Sequence, residues 1–388
     1  MMSVEIKKVA NKRDLEKFIQ FRYDLYRGNK YDAPNLYSDE MFTLNPWSKN
    51  PNAAFDFCDV EYYLAYKNGK IAGRVAAIIN RRYNEQWNRP CVRFGWLEFI
   101  DDQEVSQALL KAVEDFGRRE GMKEIIGPLG FTDMDQEGML TYGFDQLSCM
   151  ATGYNYEYYP RHMEQMEGYE KDNDYVEYKV FVPKDGVPAK FRRVAELTME
   201  RYNLHIRKLT KKDIFGPEQY GHKVFDVING TFSHLYGYSE LSKKQMDQYV
   251  NMYFRFLDLS LVTVIEDWNT PDHKCIGVGI SYPSLSKALQ KCKNGRLFPF
   301  GWWYLLRALK FKKTNIVDCL LIGVLPEYRS KGANSLLFYD LIPRYQKFGF
   351  EWGETHVEME TNGKVQNQWM YYEHEQHKRR RCYKKVLE

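Results

Sequence analysis

The sequence predicts a protein of the α/β class, arranged as two tandem domains of similar layout. Three observations carry this. The 388 residues exceed what one core usually holds and suit two units of roughly 150–200 residues. Helical and strand periodicities alternate along the chain, with hairpin signals among them. The order helix, hairpin, strand, helix, strand in the first half returns in the second.

In the first half, residues 14–28 carry apolar side chains at helical spacing and end at Gly28. Residues 61–79 read as a hairpin around "KNGK", because Asn-Gly accepts positive φ at little cost. A strand follows over 92–100. The amphipathic stretch 101–121 has acids in its first turn and ends at Gly121, and 123–130 is another strand. In the second half, 191–203 is a helix and 204–210 a strand. Residues 260–282 form a longer hairpin and 315–324 a strand. Residues 334–349 form a helix containing Pro343, and 354–360 a strand. The boundary is expected near 180–190, in a Pro- and Gly-bearing stretch, giving domains 1–185 and 186–388. The second copy differs by an insertion, 283–313.

Composition excludes several classes. A net charge of +4 is too balanced to argue for nucleic acid as partner. The seven cysteines stand singly, with no CxxC pair, which argues against a disulfide framework or a structural metal site. The polar N-terminus lacks the apolar core of a signal peptide, and no run approaches the ~20 apolar residues of a membrane span. The expected location is the cytoplasm.

The most informative stretch is "LLIGVLPEYRSKGAN", residues 320–334. An apolar strand ends, a basic glycine-containing turn follows, and a helix begins. A helix start offers unpaired amides and the positive end of the dipole, and so favours an anion. The stretch resembles motif A of the GNAT superfamily, the acyl-CoA-dependent N-acyltransferases. Val324, Pro326, Glu327, Tyr328, Arg329 and Gly332 match; Asn334 departs from the usual small residue. Downstream, Glu360, Asn362 and the "RRRCYKK" tail resemble the superfamily's last motif, and the likeness spans most of 195–388. The resemblance implies two tandem acyl-CoA N-acyltransferase-like domains, each a mixed, mostly antiparallel sheet flanked by helices. It implies acetyl-CoA or a longer acyl-CoA as co-substrate and no metal. It places Arg329, Ser330, Lys331, Gly332, Ala333, Asn334 and Asn362 at the cofactor, with strand residues Ile322, Gly323 and Val324 along its pantetheine arm. The first copy keeps the order but carries Asp101 and Asp102 at the corresponding turn. One like-charge contact at ~4 Å costs about 4 kcal/mol at an effective dielectric near 20, so this copy is expected to be degenerate.

Acyl transfer from a thioester to a primary amine needs a proton acceptor, donors for the oxyanion and a proton for the thiolate. Glu358 and Glu360 alternate on one predicted strand and are the candidate bases. Of the adjacent Tyr371 and Tyr372, on a predicted final helix, Tyr372 is the candidate thiolate acid. His356, Cys319 and Cys382 read as structural, and His374 and His377, at i, i+3 spacing, as a solvated helix face. The acceptor is a small-molecule or lipid amine. The degenerate first half and hydrophobic insertion are similar to bacterial ceramide-synthase-like acyltransferases, which use a lipid amine. Residues 297–313 mix aromatic and basic side chains and suggest peripheral contact with the inner membrane face. A non-catalytic acyl-CoA-binding regulator is the alternative from another class. An aminoacyl-tRNA-dependent transferase is disfavoured by Arg329 and Gly332. The oligomeric state stays open.

Overall fold

The structure is a computed structural model that describes residues 4–311 and 314–388. The first half runs β1 (Glu5–Lys8), α1 (Lys12–Leu25), α2 (Tyr37–Leu44), β2 (Cys58–Lys67), β3 (Lys70–Asn80), α3 (Arg81–Gln86), β4 (Cys91–Phe99), α4 (Gln103–Arg119) and β5 (Glu124–Gly127). Irregular chain then carries β6 (Met139–Tyr142), α5 (Tyr158–Glu164) and β7 (Glu170–Phe181). The second half runs α6 (Ala189–Tyr202), β8 (Leu204–Arg207), α7 (Lys211–Phe215), α8 (Tyr220–Phe232), α9 (Lys243–Tyr249), β9 (Val262–Asp267) and β10 (Lys274–Pro283). It continues with α10 (Ser286–Leu289), α11 (Gly301–Lys310), β11 (Ile316–Val324), α12 (Pro326–Arg329), α13 (Asn334–Phe348), β12 (Trp352–Thr355), β13 (Glu358–Met359), α14 (Gly363–Gln366) and β14 (His374–Val386).

Local chemistry explains the elements. Asn68 and Gly69 both take positive φ, +54° and +74°, and so close the β2–β3 hairpin with the twist its strands need. The Asp102 side chain caps α4 by accepting from the Glu104 amide. Gly349, at φ +76°, ends α13, which runs through Pro343.

Among the described residues the strands join one mixed, mostly antiparallel sheet in the order β1-β2-β3-β4-β5-β14-β7-β12-β11-β10-β9-β8. Among the described residues only the β4–β5 and β11–β12 pairs are parallel. The two central strands are exchanged. β14, the end of the chain, pairs with β5 of the first half (Tyr383 with Gly127). β7, before the linker, pairs with β12 of the second half (Trp352 with Phe181). β14 and β7 also pair with each other over most of their length.

Two local expectations are corrected. Residues 354–360 are not one strand. Thr355 ends β12 beside β11, and Glu358 starts β13, which pairs with β7. Both segments pair with β7, but β11 is left behind at Thr355 and the register on β7 slips by one residue between Glu354–Lys179 and Glu358–Val176. β13 then ends at Met359, so Glu358 and Glu360 do not share one continuous strand. Tyr371 and Tyr372 do not lie on a final helix. A single 3-10 turn, Trp369–Tyr371, precedes Tyr372, whose backbone is extended. His374 and His377 then belong to β14, because pairing partners on both sides draw this segment into the sheet.

Candidate active site

The site begins where β11 and β12 part. Their parallel pairing covers Ile316–Cys319 against Trp352–Thr355 and stops there. β11 continues to Val324 with β10 on its other side. Residues 320–324 therefore present a backbone edge to an open wedge. The β10 register passes from Ile280–Leu321 to Ser281–Cys319, so Leu320 is the extra residue of a β-bulge at the mouth of the wedge. Bulges re-aim the backbone and are common beside active sites.

The bulge sorts side chains between two faces. Val317 packs with Leu341 and Tyr345, and Ile322 and Val324 pack with Leu336 and Leu337, all on the face of α13. Leu320 and Leu321 pack on the opposite face with α8, α9 and Met134 of the first half. Gly323 also belongs to that face: a Cβ there would lie 3.1–3.3 Å from the Thr231 side chain.

At the far end of β11 the turn is tightly built. Gly332 has φ +80°, and an added Cβ would meet Thr198 and Val194 of α6 at 3.1 and 3.2 Å. The Thr198 hydroxyl donates to the Lys331 carbonyl at 3.0 Å. Arg329 is a brace, donating from Nε to the Val324 carbonyl at 2.9 Å and from Nη2 to the Thr231 carbonyl at 3.2 Å. The Lys331 ammonium rests over the rings of Tyr328 and Tyr202, and Ser330 is exposed. The amides of Ala333 and Asn334 have no acceptor among the described residues. They lead α13 and are free to donate to an anion. Asn362 stands at the start of α14, where its carbonyl accepts from the Val365 amide.

The first-half wedge is closed. β4 and β5 pair only over Cys91–Arg93 and Glu124–Ile126. Beyond that point the Leu129 amide donates to the Phe94 carbonyl, and the Phe99 amide donates to the Tyr159 hydroxyl at 3.1 Å. The Tyr159 ring stacks on Phe99 at 4.2 Å. Asp102 caps α4 and pairs with Lys67, while Asp101 meets His162 at 2.9 Å. The acidic turn is thus spent on the protein's own partners.

Two carboxyls flank the open wedge, Asp318 buried and Glu358 half-buried. Asp318, 1 % exposed, lies on the face opposite α13, in register with Tyr282 and Glu354. Both its oxygens and the Tyr282 hydroxyl lack a hydrogen-bond partner among the described residues. Burial, then the neighbouring Glu354 carboxylate, pushes the Asp318 carboxyl up to about 8. Glu358 lies on the α13 face. Its Oε1 accepts from the Trp369 indole at 2.9 Å and its Oε2 has no partner. Burial pushes it up to about 8 as well.

The other candidates fall differently. Glu360 lies on the surface, held by Arg379 and Lys171, which lower its pKa. It is not brought to Glu358. Tyr372 is buried against Phe338 and Phe191, with its hydroxyl unpaired and burial raising its pKa. It lies in the same apolar cluster as Trp369. His356 is half-buried, with Nε2 unpaired and its pKa lowered to about 4 by desolvation.

Sequence reasoning missed Asp318 and the ionic network beyond it. Lys378 of β14 pairs with Glu354 and lies 3.7 Å from Glu177, and Arg380 pairs with Glu177. Although burial works the other way, Arg380 and Lys378 hold Glu177 at about 2. Glu177, Glu354 and His377 offer ligand atoms within 4.8 Å of one another. The ammonium and guanidinium already neutralise the two carboxylates there. The signal in the sequence was a charged residue inside each central strand run: Asp318 in "IVDCLLIGV", Glu177 in "DYVEYKVF". The first half closes this region: the Thr152 hydroxyl donates to Glu177 at 3.2 Å, and Arg380 donates to the Gly153 carbonyl at 2.7 Å.

No family model matches the chain. It is similar to Protein YghO of Escherichia coli (strain K12), 26% identical over 326 residues that cover 84% of this chain and 79% of that protein. It is also similar to a bacterial ceramide synthase of Caulobacter vibrioides, 25% identical over 340 residues, covering 85% and 82%. Among solved structures it superimposes on the GCN5-related glucosamine N-acetyltransferase region of a fungal multi-domain GH3 beta-N-acetylglucosaminidase. The TM-score is 0.55 at 12% identity, over 99% of this chain and 38% of that one.

Proposed function

The chain has the fold of the GCN5-related (GNAT) acyltransferases in tandem, and from that premise we propose that it is an acyl-CoA-dependent N-acyltransferase using the wedge of its second half. The observation that carries the reading is the combination of a free β11 edge at residues 320–324 with two unpaired amides at Ala333 and Asn334. The edge suits an extended amide-bearing arm, and the amides suit its phosphates. The units remain 1–185 and 186–388 in this reading, the first without a cofactor site.

The amine reaches the wedge from the Asp318 face. Its nitrogen attacks the thioester carbon directly, forming the C–N bond as C–S breaks. The bulge at Leu320 supplies backbone donors to the carbonyl oxygen. Asp318 takes the amine proton. Glu358 and Tyr372 lie on the α13 face, and Tyr372 returns a proton to the leaving sulfur. Glu358, protonated at neutral pH, is the second donor on that side. Glu360 has no role in this step.

The acceptor is proposed to be a lipid amine and the donor a long-chain acyl-CoA. Support comes from the similarity to a ceramide synthase and from the aromatic insertion before β11. Calorimetric titration with CoA, acetyl-CoA and palmitoyl-CoA tests both levels. Binding that Gly332→Glu abolishes supports the turn as cofactor site. Preference for palmitoyl-CoA supports the lipid reading, and indifference to chain length removes it. No binding of any of the three removes the acyltransferase reading altogether.

A further inference from the structure

The insertion between β10 and β11 folds as a small helical platform with one covered and one bare side. Gly301, Leu305 and Ala308 of α11 form a buried stripe. Leu305 and Ala308 pack on Ala288, Leu289 and Cys292 of the α10 arm. The platform is fixed to the first half. Gln290 donates to the carbonyls of Lys30 and Asp32 at 2.8 and 3.2 Å, and Arg296 covers the Tyr37 ring at 4.2 Å.

The bare side is aromatic. Phe298 is 78 % exposed, Phe300 67 %, Trp302 46 %, Trp303 41 % and Phe311 55 %. Single exposed rings are ordinary on a protein surface, but five within residues 298–311 form a patch. The same segment is uniformly basic. Residues 283–313 contain eight Lys and Arg and no acid, in a chain whose overall charge is only +4. Indeed no Asp or Glu occurs between Asp272 and Asp318. Arg307 and Lys310 are exposed on α11, and Lys287, Lys291 and Lys293 on the arm.

The geometry points to docking of this platform on an anionic lipid bilayer. Aromatic rings and cations on one face, without acids, match the boundary between headgroups and acyl chains. A protein partner fits less well, since lysine is depleted from the cores of protein interfaces. Placement adds a consequence that rests on the acyltransferase reading. β11 starts at Ile316, directly after the platform, and the wedge opens at Cys319–Leu320. At ~3.3 Å per residue that is about 13 Å, so a lipid held at the platform lies within reach of the wedge.

The test is sedimentation of the full-length protein with vesicles of phosphatidylcholine alone, or with one lipid in three replaced by phosphatidylglycerol. Two exposed-face variants run beside it, Trp302→Ser/Trp303→Ser and Arg307→Glu/Lys310→Glu. Binding to the anionic vesicles is expected to exceed binding to the neutral ones by about tenfold or more. Each variant is expected to lower it by a similar factor while melting at the parental temperature. Absence of vesicle binding, or binding that neither variant changes, overturns the proposal. So does self-association by sedimentation velocity that the tryptophan variant removes, which would make the patch a protein interface. CoA titration reports separately on the wedge, so failure of docking and failure of the acyltransferase reading are distinguishable.

Discussion

Asp318 and Glu358 are two carboxyls of similar pKa on opposite faces of one wedge, and the face decides what each can meet. Asp318 looks toward α8 and the first half; Glu358 looks toward Trp369 on the α13 side. Asp318→Asn is therefore expected to lower kcat by about 10²–10⁴, the usual span for a general base. Glu358→Gln, which imitates a neutral acid, is expected to lower it by less than about tenfold. The wild-type rate should fall below about pH 8 as Asp318 takes up a proton, and the Asn variant should lose that limb. Stability gives a second readout. Folding raises the Asp318 pKa, so its favourable contribution is complete below the ordinary carboxyl pKa and is lost as pH rises through about 8. Asp318→Asn should melt with the wild type at pH 4 and above it at pH 9. Equal rates for the Asn variant and the wild type would remove Asp318 from the mechanism.

At the level of elements, the strand–turn–helix unit 316–348 was legible from its residues, because apolar periodicity, Gly332 and the basic turn are local signals. The hairpin at Asn68–Gly69 was legible for the same reason. The split of 354–360 was not, since it depends on where the pairing with β11 ends and the register on β7 slips. The extent of β14 was legible only in part: "HKRRR" reads as a basic strand or turn, but His374 and His377 read as a helix face. Its charges are tolerated because β7 and β12 carry the partners, Glu177 and Glu354. That makes β14 sensitive to removing one member. Lys378→Met leaves Glu354 and Glu177 short of a cation in the interior and should cost about 3–5 kcal/mol in denaturant unfolding. A loss under about 1 kcal/mol would mean that water reaches the network. Arg329 shows the opposite limit of sequence reading. Its charge suggests a phosphate ligand, yet its guanidinium is committed to two backbone carbonyls.

On the scale of the molecule, the duplicated order was readable but the exchange of β7 and β14 was not, because both strands remain strands whichever half they join. The linker 182–188 is coil between them. Cutting it should not release two domains, since β7 lies between β12 and β14, both from the other fragment. Protein nicked within 183–187 is expected to elute as one species in native buffer and to separate only in denaturant. Elution as two fragments without denaturant would contradict the sheet order. Residues 1–185 expressed alone should be poorly soluble, with the β5 edge bare.

The exchange also imposes a timetable on synthesis. The neighbour of β5 leaves the ribosome long after it, with β5 ending at Gly127 and β14 beginning only at His374. At about 5–20 residues per second, the edge of the first sheet waits on the order of ten to fifty seconds for its partner. During that interval the nascent chain displays an open row of donors and acceptors next to an apolar core, a natural client for whatever shields unfinished sheets. The closing step belongs to β14, so a chain that stops short of His374 is left incomplete at the centre of its sheet.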